Sequence, residues 1–170
     1  RMAELVTGNM SDCMRSGIAF GQVAINLATE NLINTDFVSA LLELLDTRSL
    51  PKSAIKLEIT EQVLMDDLNQ AVVANLHKLR EMGISLSLDD FGTGYASLIH
   101  LQKLPVDEIK IDRSFVSGLG TQTNKGEIVQ AMIGLANTLG LNTVAEGVET
   151  QGEALKLAAW GCKNAQGYLF

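Results

Sequence analysis

The stretch Ile84-Ser85-Leu86-Ser87-Leu88-Asp89-Asp90-Phe91-Gly92-Thr93-Gly94-Tyr95 decides the fold, because its first six residues alternate without a break. On a β-strand Ile84, Leu86 and Leu88 share one face, and Ser85, Ser87 and Asp89 share the other. The same parity returns in three more runs. In Val23–Ala28, Val23, Ile25 and Leu27 oppose Ala24, Asn26 and Ala28. In Ile55–Thr60, Ile55, Leu57 and Ile59 oppose Lys56, Glu58 and Thr60. In Glu108–Asp112, Ile109 and Ile111 oppose Glu108, Lys110 and Asp112. Thr143–Glu146 and, more weakly, Ala165–Phe170 complete a set of six runs. Each of the four patterned runs has an aliphatic face and a small or polar face with one functional group near its end. A doubly wound sheet is covered by helices on both faces and reads apolar on both. A barrel has a distinct inner face, with its chemistry at the carboxyl ends of the strands. Parity therefore points to a (β/α) barrel.

Helical spacing fills the intervals between the runs. Phe37, Leu41, Leu44 and Leu45 form one stripe, and Leu68, Val72, Leu76 and Leu79 another. Asp66 or Asp67 is placed to cap the second helix, and Gly83 to end it. A third helix is expected over about Lys125 to Leu139, before Gly140, and a fourth after Thr150 and before Gly161. Strand and helix in repeated alternation call for a parallel sheet with right-handed crossovers.

Composition limits the function classes. With 170 residues, 46% of them hydrophobic, the chain can build one domain with a real core. A net charge of −7 excludes a sequence-independent grip on DNA or RNA polymers. An anionic phosphate ligand would need positive charge from elsewhere, and bound metal ions supply it. Cys13 and Cys162 have no CxxC spacing and read as two reduced thiols of a cytoplasmic protein. No apolar run is long enough to span a bilayer, there is no signal-peptide pattern, and two prolines with no low-complexity tract mark no linker.

Closing the strands side by side gathers Asn26, Glu58, Asp89, Asp90, Lys110, Asp112, Glu146 and Gln166 at one mouth. Hard oxygen donors from several strands suit Mg²⁺, Mn²⁺ or Ca²⁺. Packed carboxylates repel one another, and a divalent cation relieves that repulsion. If strand geometry continues through the acidic pair, Asp89 and Asp90 point in opposite directions and each serves one of two neighbouring ions. Two ions are a common device for in-line attack of water on a phosphodiester. Lys110 has no role as a ligand and is suited to holding the attacking water or a phosphate oxygen. Taken singly these residues also read as caps or solvated loop groups. Asp89-Asp90 reads as a polar turn, Glu61 and Asp112 as loop ties, and Glu149 as a cap for the helix after Gly147. Their recurrence at one structural position is what those readings leave unexplained. A kinase-type Asp-Phe-Gly is excluded, since the glycine-rich loop, strand lysine and His-Arg-Asp loop are missing.

The segments "AINLATENL", "LEIT", "DDFGTGYASL", "LPVDEIKIDRSFV", "VAEGVET" and "NAQGYLF" resemble, in order, the signatures of the EAL family. That family comprises bacterial phosphodiesterases that linearise cyclic di-GMP to pGpG on a TIM-like barrel. The resemblance runs from about Val23 to Phe170. It implies that Asn26, Glu58 and Asp89 are metal ligands, and that Asp90 serves a second ion. It makes Lys110 the lysine near the attacking water and Glu146 a ligand or proton acceptor. Gln166 would position water or metal. Glu61 would hold the loop after the double aspartate and Glu149 would be a further acidic position, while Asp112, read from the residues alone, ties a loop next to the site. The loop from Phe91 through Gly92, Thr93, Gly94 and Tyr95 to Ser97 would couple a homodimer to the metals. Two Mg²⁺ or Mn²⁺ ions, inhibition by Ca²⁺, and a sensor or GGDEF-type domain in the same parent chain are further implications. Such a parent can be membrane-anchored through other domains.

One departure is large. The Glu-x-Leu motif that names the family is absent, and "AELV" at Ala3–Val6 matches by letters only, too close to Asn26 and without the following arginine. Residues 1–170 are therefore expected to form a single partial domain, strands 3 to 8 of an eight-stranded barrel, within a larger polypeptide. Two readings follow. The parent is a metal-dependent cyclic di-GMP phosphodiesterase, or it is an inactive EAL domain acting as a cyclic di-GMP receptor or interaction module. Because the missing glutamate is a ligand in the family, the 170 residues alone are expected not to turn over substrate.

Overall fold

The structure, a computed structural model, describes residues 2–64, 70–94, 98–119 and 123–170. Six strands, β1 (Val23–Asn26), β2 (Ile55–Thr60), β3 (Ser85–Phe91), β4 (Glu108–Ile111), β5 (Asn142–Ala145) and β6 (Asn164–Ala165), lie in that order in one sheet, every neighbouring pair parallel. A doubly wound sheet reverses its strand order at a switch point. An unreversed run of parallel strands is the wall of a barrel, here about half of one.

Eight helices lie among the described residues: α1 (Met2–Arg15), α2 (Thr29–Ile33), α3 (Thr35–Thr47), α4 (Gln70–Glu81), α5 (Leu98–Lys103), α6 (Arg113–Val116), α7 (Thr123–Thr138) and α8 (Gln151–Ala159). The four helices expected from spacing are α3, α4, α7 and α8. Three short ones, α2, α5 and α6, were not foreseen, because four to six residues are too few to display a helical period. The expected caps Asp66 and Asp67, and Leu68 of the second stripe, lie outside the described residues. The Asn34 side chain begins α3 by accepting the Asp36 N–H at 2.9 Å. Gly83, at φ 90°, ends the helical stretch of α4, and the Ile84 N–H then reaches back to the Leu79 carbonyl at 3.1 Å.

Parity is reproduced in the packing. Ile55, Leu57, Ile59, Leu86, Leu88 and Ile109 are buried in one cluster with Leu41 and Leu45 of α3 and Leu76 and Leu79 of α4. Ile111 and Ala145 pack instead with Val129 and Ile133 of α7 and Leu157 of α8. Each such aliphatic side chain contributes about 1.5–3 kcal/mol by leaving water, so this layer fixes which face of every strand looks inward.

The last run departs from expectation. Strand pairing was expected over Ala165–Phe170, but β6 is only Asn164–Ala165. After it the chain folds back over Val148, whose N–H donates to the Gln166 carbonyl at 3.0 Å and whose carbonyl accepts the Leu169 N–H at 3.1 Å. From the Gln166 carbonyl onward the chain pairs with Val148, beyond the end of β5, instead of extending the ladder. No helix among the described residues is long and apolar enough to cross a membrane.

Candidate metal centre

The inner face of the sheet carries its functional groups at the carboxyl edge. Asn26 is at the end of β1, in register with Glu58 on β2. Thr60 of β2 is in register with Asp89 of β3, and Lys110 of β4 with Val144 of β5. Glu146 follows β5 directly, its N–H donating to the Ile111 carbonyl at 3.1 Å. Gln166 follows β6 in the same way, donating to the Ala145 carbonyl at 2.9 Å.

Lys110 is the centre of the arrangement. Its Nζ lies 2.7 Å from Glu146 Oε1, 3.0 Å from Asp89 Oδ1 and 3.1 Å from Glu58 Oε1. Burial would lower the lysine's pKa, but the hydrogen bonds to Glu146, Asp89 and Glu58 outweigh it and hold the ammonium charged well above the ordinary range. Gln166 Nε2 donates to Glu146 Oε1 at 2.7 Å, so this one oxygen accepts from both Gln166 and Lys110.

Asp89 and Asp90 do not alternate as expected. Leu88 pairs with Ile109 and Phe91 with Ile111, so three steps along β3 match two along β4. The extra residue is a β-bulge, with Asp90 in the left-handed region at φ 56°. Two successive side chains consequently fall on the inner face. Asp89, Asp90 and Glu146 offer carboxylate oxygens that all lie within 4.8 Å of one another. Burial raises the Asp90 pKa, and the charges of Asp89 and Asp112 add to the effect. Burial also raises Glu146, with Asp89 and Asp90 contributing and Lys110 opposing. Three half-buried carboxylates with two pKa values pushed up carry negative charge that Lys110 meets only in part. Their hard oxygen donors fit a divalent cation.

The remaining residues named from the sequence are placed around this centre. Glu61 is buried, and its Oε1 accepts the Gly92 N–H at 2.8 Å while Oε2 accepts the Gly94 N–H at 3.0 Å. Asp112 caps α6 by accepting the Ser114 N–H at 2.9 Å. Burial would raise its pKa, but the hydrogen bonds from Ser114 and Arg113 hold it below the usual carboxylate value. Phe91 closes β3 and is buried, Gly92, Thr93 and Gly94 form the exit from the strand, and Tyr95 lies outside the described residues. Glu149 does not cap the following helix. Thr150 does so, in a capping box with Glu153, and Glu149 gives its N–H to Glu153 Oε2 at 3.0 Å. Glu4 lies within α1.

Two features escaped the sequence reading. Glu153 is buried and receives the N–H groups of Gly118, Glu149 and Thr150. The spacing of Thr150 and Glu153 was the available signal. The second is an ion pair beneath the site, Lys56 Nζ to Glu108 Oε1 at 2.7 Å. Parity puts both residues inside, but β2 and β4 are not neighbours, so no local pattern pairs them.

The fold and site together define an α/β barrel protein whose polar chemistry is gathered at the carboxyl ends of its strands. The chain belongs to the EAL domain family, whose model matches residues 2–170. The cyclic di-GMP phosphodiesterase NbdA of Pseudomonas aeruginosa is 42% identical over 149 residues, which are 88% of this chain and 19% of that protein. The bifunctional diguanylate cyclase/cyclic di-GMP phosphodiesterase MucR of the same organism is 40% identical over 153 residues, 90% of this chain and 22% of that one. Among solved structures, the manganese and cyclic di-GMP complex of Klebsiella pneumoniae BlrP1 at pH 6 superposes with a TM-score of 0.85 at 30% identity, covering 99% of this chain and 43% of that one. The chain thus spans about a fifth of the length of these curated relatives.

Proposed function

We propose that this chain contributes the metal-binding and catalytic edge of a cyclic di-GMP phosphodiesterase, as strands 3 to 8 of an eight-stranded barrel. The observation that carries the reading is the single cluster in which Lys110 is held by Glu58, Asp89 and Glu146, with Asp90 turned in beside them. The similarity to NbdA supports the substrate, and the manganese complex of BlrP1 supports the metal.

Asp89, Asp90 and Glu146, with Glu58 and Asn26 on the adjoining strands, would hold Mg²⁺ or Mn²⁺, two ions in all, and Ca²⁺ would occupy the same donors without supporting turnover. Bound divalent ions supply charge neutralisation at the phosphate and make water a better nucleophile near neutral pH. Lys110 holds its ammonium where it can orient the attacking water or grip a non-bridging phosphate oxygen. Glu146, whose Oε1 accepts from Lys110 and Gln166 and whose pKa is raised by burial, would take the water's proton. The new bond joins the water oxygen to phosphorus, the bond from phosphorus to the ribose 3′ oxygen breaks, and that oxygen leaves with the proton that Glu146 took from the water, as linear pGpG forms. Glu61 fixes the start of the loop beyond the acidic pair, the segment Phe91 to Ser97, through which a homodimer would act on the site. A sensor or GGDEF-type domain in the same polypeptide completes the reading, supported by the diguanylate cyclase activity that the name of MucR joins to its phosphodiesterase.

The test is hydrolysis of cyclic di-GMP by the full-length protein with Mn²⁺, followed by Asp89→Ala and Glu58→Ala. Loss of turnover in both variants is expected. Wild-type rates in either would sink the assignment, and tight nucleotide binding without any hydrolysis by the unaltered protein would favour the receptor reading.

A further inference from the structure

The ion pair beneath the site repeats the one above it with the charges exchanged. On β2, Lys56 precedes Glu58 by two residues, and on β4, Glu108 precedes Lys110 by two, so all four side chains lie on the inner face. Lys56 reaches across β3 to Glu108 at 2.7 Å, and Lys110 reaches across the same strand to Glu58 at 3.1 Å. Ser87 of β3, fully buried between them, donates its hydroxyl to Glu108 Oε1 at 3.0 Å.

The Glu108 side chain is only 8% exposed, so its charge has to be met inside the protein. Same-face residues two apart on a strand are separated by about 6.6 Å, within the span of an extended lysine side chain. Glu108 is therefore a rival for the ammonium of Lys110, set against Glu58, Asp89 and Glu146. Lys56 satisfies that rival.

We propose that Lys56 is a positioning residue for the site: by neutralising Glu108 it keeps Lys110 Nζ on the upper carboxylates. The inference rests on the reading of Lys110 as the group that acts at the phosphate. It differs from a purely structural role in what it predicts for a bystander. Removing Lys56 displaces Lys110, and removing the charge of Glu108 as well puts Lys110 back.

The experiment uses the full-length protein as Lys56→Met, Lys56→Arg and the Lys56→Met/Glu108→Gln pair. Each is followed by crystal structure, thermal melting, and kcat and KM for cyclic di-GMP with Mn²⁺. In Lys56→Met, Lys110 Nζ is expected within hydrogen-bonding distance of Glu108 and away from Glu146. With it kcat should fall about 10- to 100-fold while KM changes little, the size expected for a misplaced catalytic group. Lys56→Arg and the double variant should restore both the position and kcat. Lys56→Gln, which can hydrogen-bond Glu108 but brings no charge, decides in the same way should Lys56→Met fail to fold. The proposal is overturned if Lys110 stays on Glu146 when Lys56 is gone, or if a lowered melting temperature is the only change. It is also overturned if the double variant recovers stability without recovering the position of Lys110. If the unaltered protein does not hydrolyse cyclic di-GMP, that counts against the proposed function, and the position of Lys110 in the variants still decides the inference.

Discussion

Asp90, in the left-handed backbone region at φ 56°, falls on the same side of the sheet as its neighbour Asp89. Ordinary strand geometry would place them on opposite sides. The bulge that brings them together puts two carboxylates next to Glu146 and supplies the negative charge that a cation would meet. An aspartate tolerates this conformation better than most residues, because its short polar side chain costs little there.

A pH dependence follows from that arrangement. The pKa of Asp90 is raised from the ordinary 3.8 by burial and by Asp89 and Asp112, so the folded chain holds this proton more tightly than the unfolded one. The associated stability is fully present below 3.8 and is lost as pH rises through the higher folded value. Asp90→Asn removes that loss. In metal chelator, its melting temperature should exceed that of the unaltered protein near neutral pH, and the gain should shrink as pH approaches 3.8. A gain of the same size at every pH would trace to backbone preference alone.

Lys110 meets three carboxylates with side chains 13–16% exposed, and is itself 7% exposed. Lys110→Met leaves them facing one another without a cation. Without metal, the loss should be about 3–5 kcal/mol in urea unfolding, as for other buried pairs broken on one side. Saturating Mn²⁺ should recover part of it, because a divalent cation supplies the missing charge. An equal loss with and without Mn²⁺ would mean that the ion does not bind at these carboxylates.

Glu61 and Gly92 form a second coupled pair. The carboxylate receives the N–H groups of Gly92 and Gly94, and Gly92 has φ 103°. A Cβ on Gly92 would lie 2.5 Å from Met132 Cε and 2.8 Å from Phe115 Cε2, so both backbone strain and packing oppose any side chain there. Gly92→Ala should cost about 1–3 kcal/mol. Glu61→Ala removes the acceptor of both N–H groups, of which Gly92 is half-buried and Gly94 exposed, and should cost about 1–3 kcal/mol in all. Glu61→Gln, keeping one acceptor oxygen, should fall between Glu61→Ala and the unaltered protein in a chemical-denaturation series.

The sheet was legible because parity is a local property. Leu57 beside Glu58 and Ile109 beside Lys110 state which way each faces, whatever the rest of the chain does. Sequential neighbours such as Asn26 and Glu58 could be placed together on that basis. The bulge at Asp90 was not legible, since it depends on how β3 registers with β4, and it overturned the expected alternation. The pairing of Lys56 with Glu108 crosses an intervening strand, and nothing within either segment announces it. The end of β6 failed for a similar reason, because Gly167 turns the chain onto Val148, which lies far away in sequence.

Glu153 lies on the same boundary between local and tertiary information. Thr150 and Glu153 make a capping box that three-residue spacing alone would allow, but Glu153 Oε1 is used for Gly118, at the end of another helical segment. Its carboxylate therefore ties the start of α8, just beyond the loop that leaves Glu146, to the turn after α6. Burial would raise its pKa, yet the N–H groups of Glu149, Gly118 and Thr150 outweigh this and keep it below the ordinary value. The stability it contributes should be present above the ordinary 4.5 and fade as pH falls through the lower folded value. Glu153→Ala should cost about 2–4 kcal/mol near neutral pH, the sum of a lost cap and a lost charged acceptor. Amide hydrogen exchange at Gly118 and Thr150 should accelerate together in that variant. If Thr150 alone loses protection, Glu153 is only a helix cap and the tie to Gly118 carries no weight.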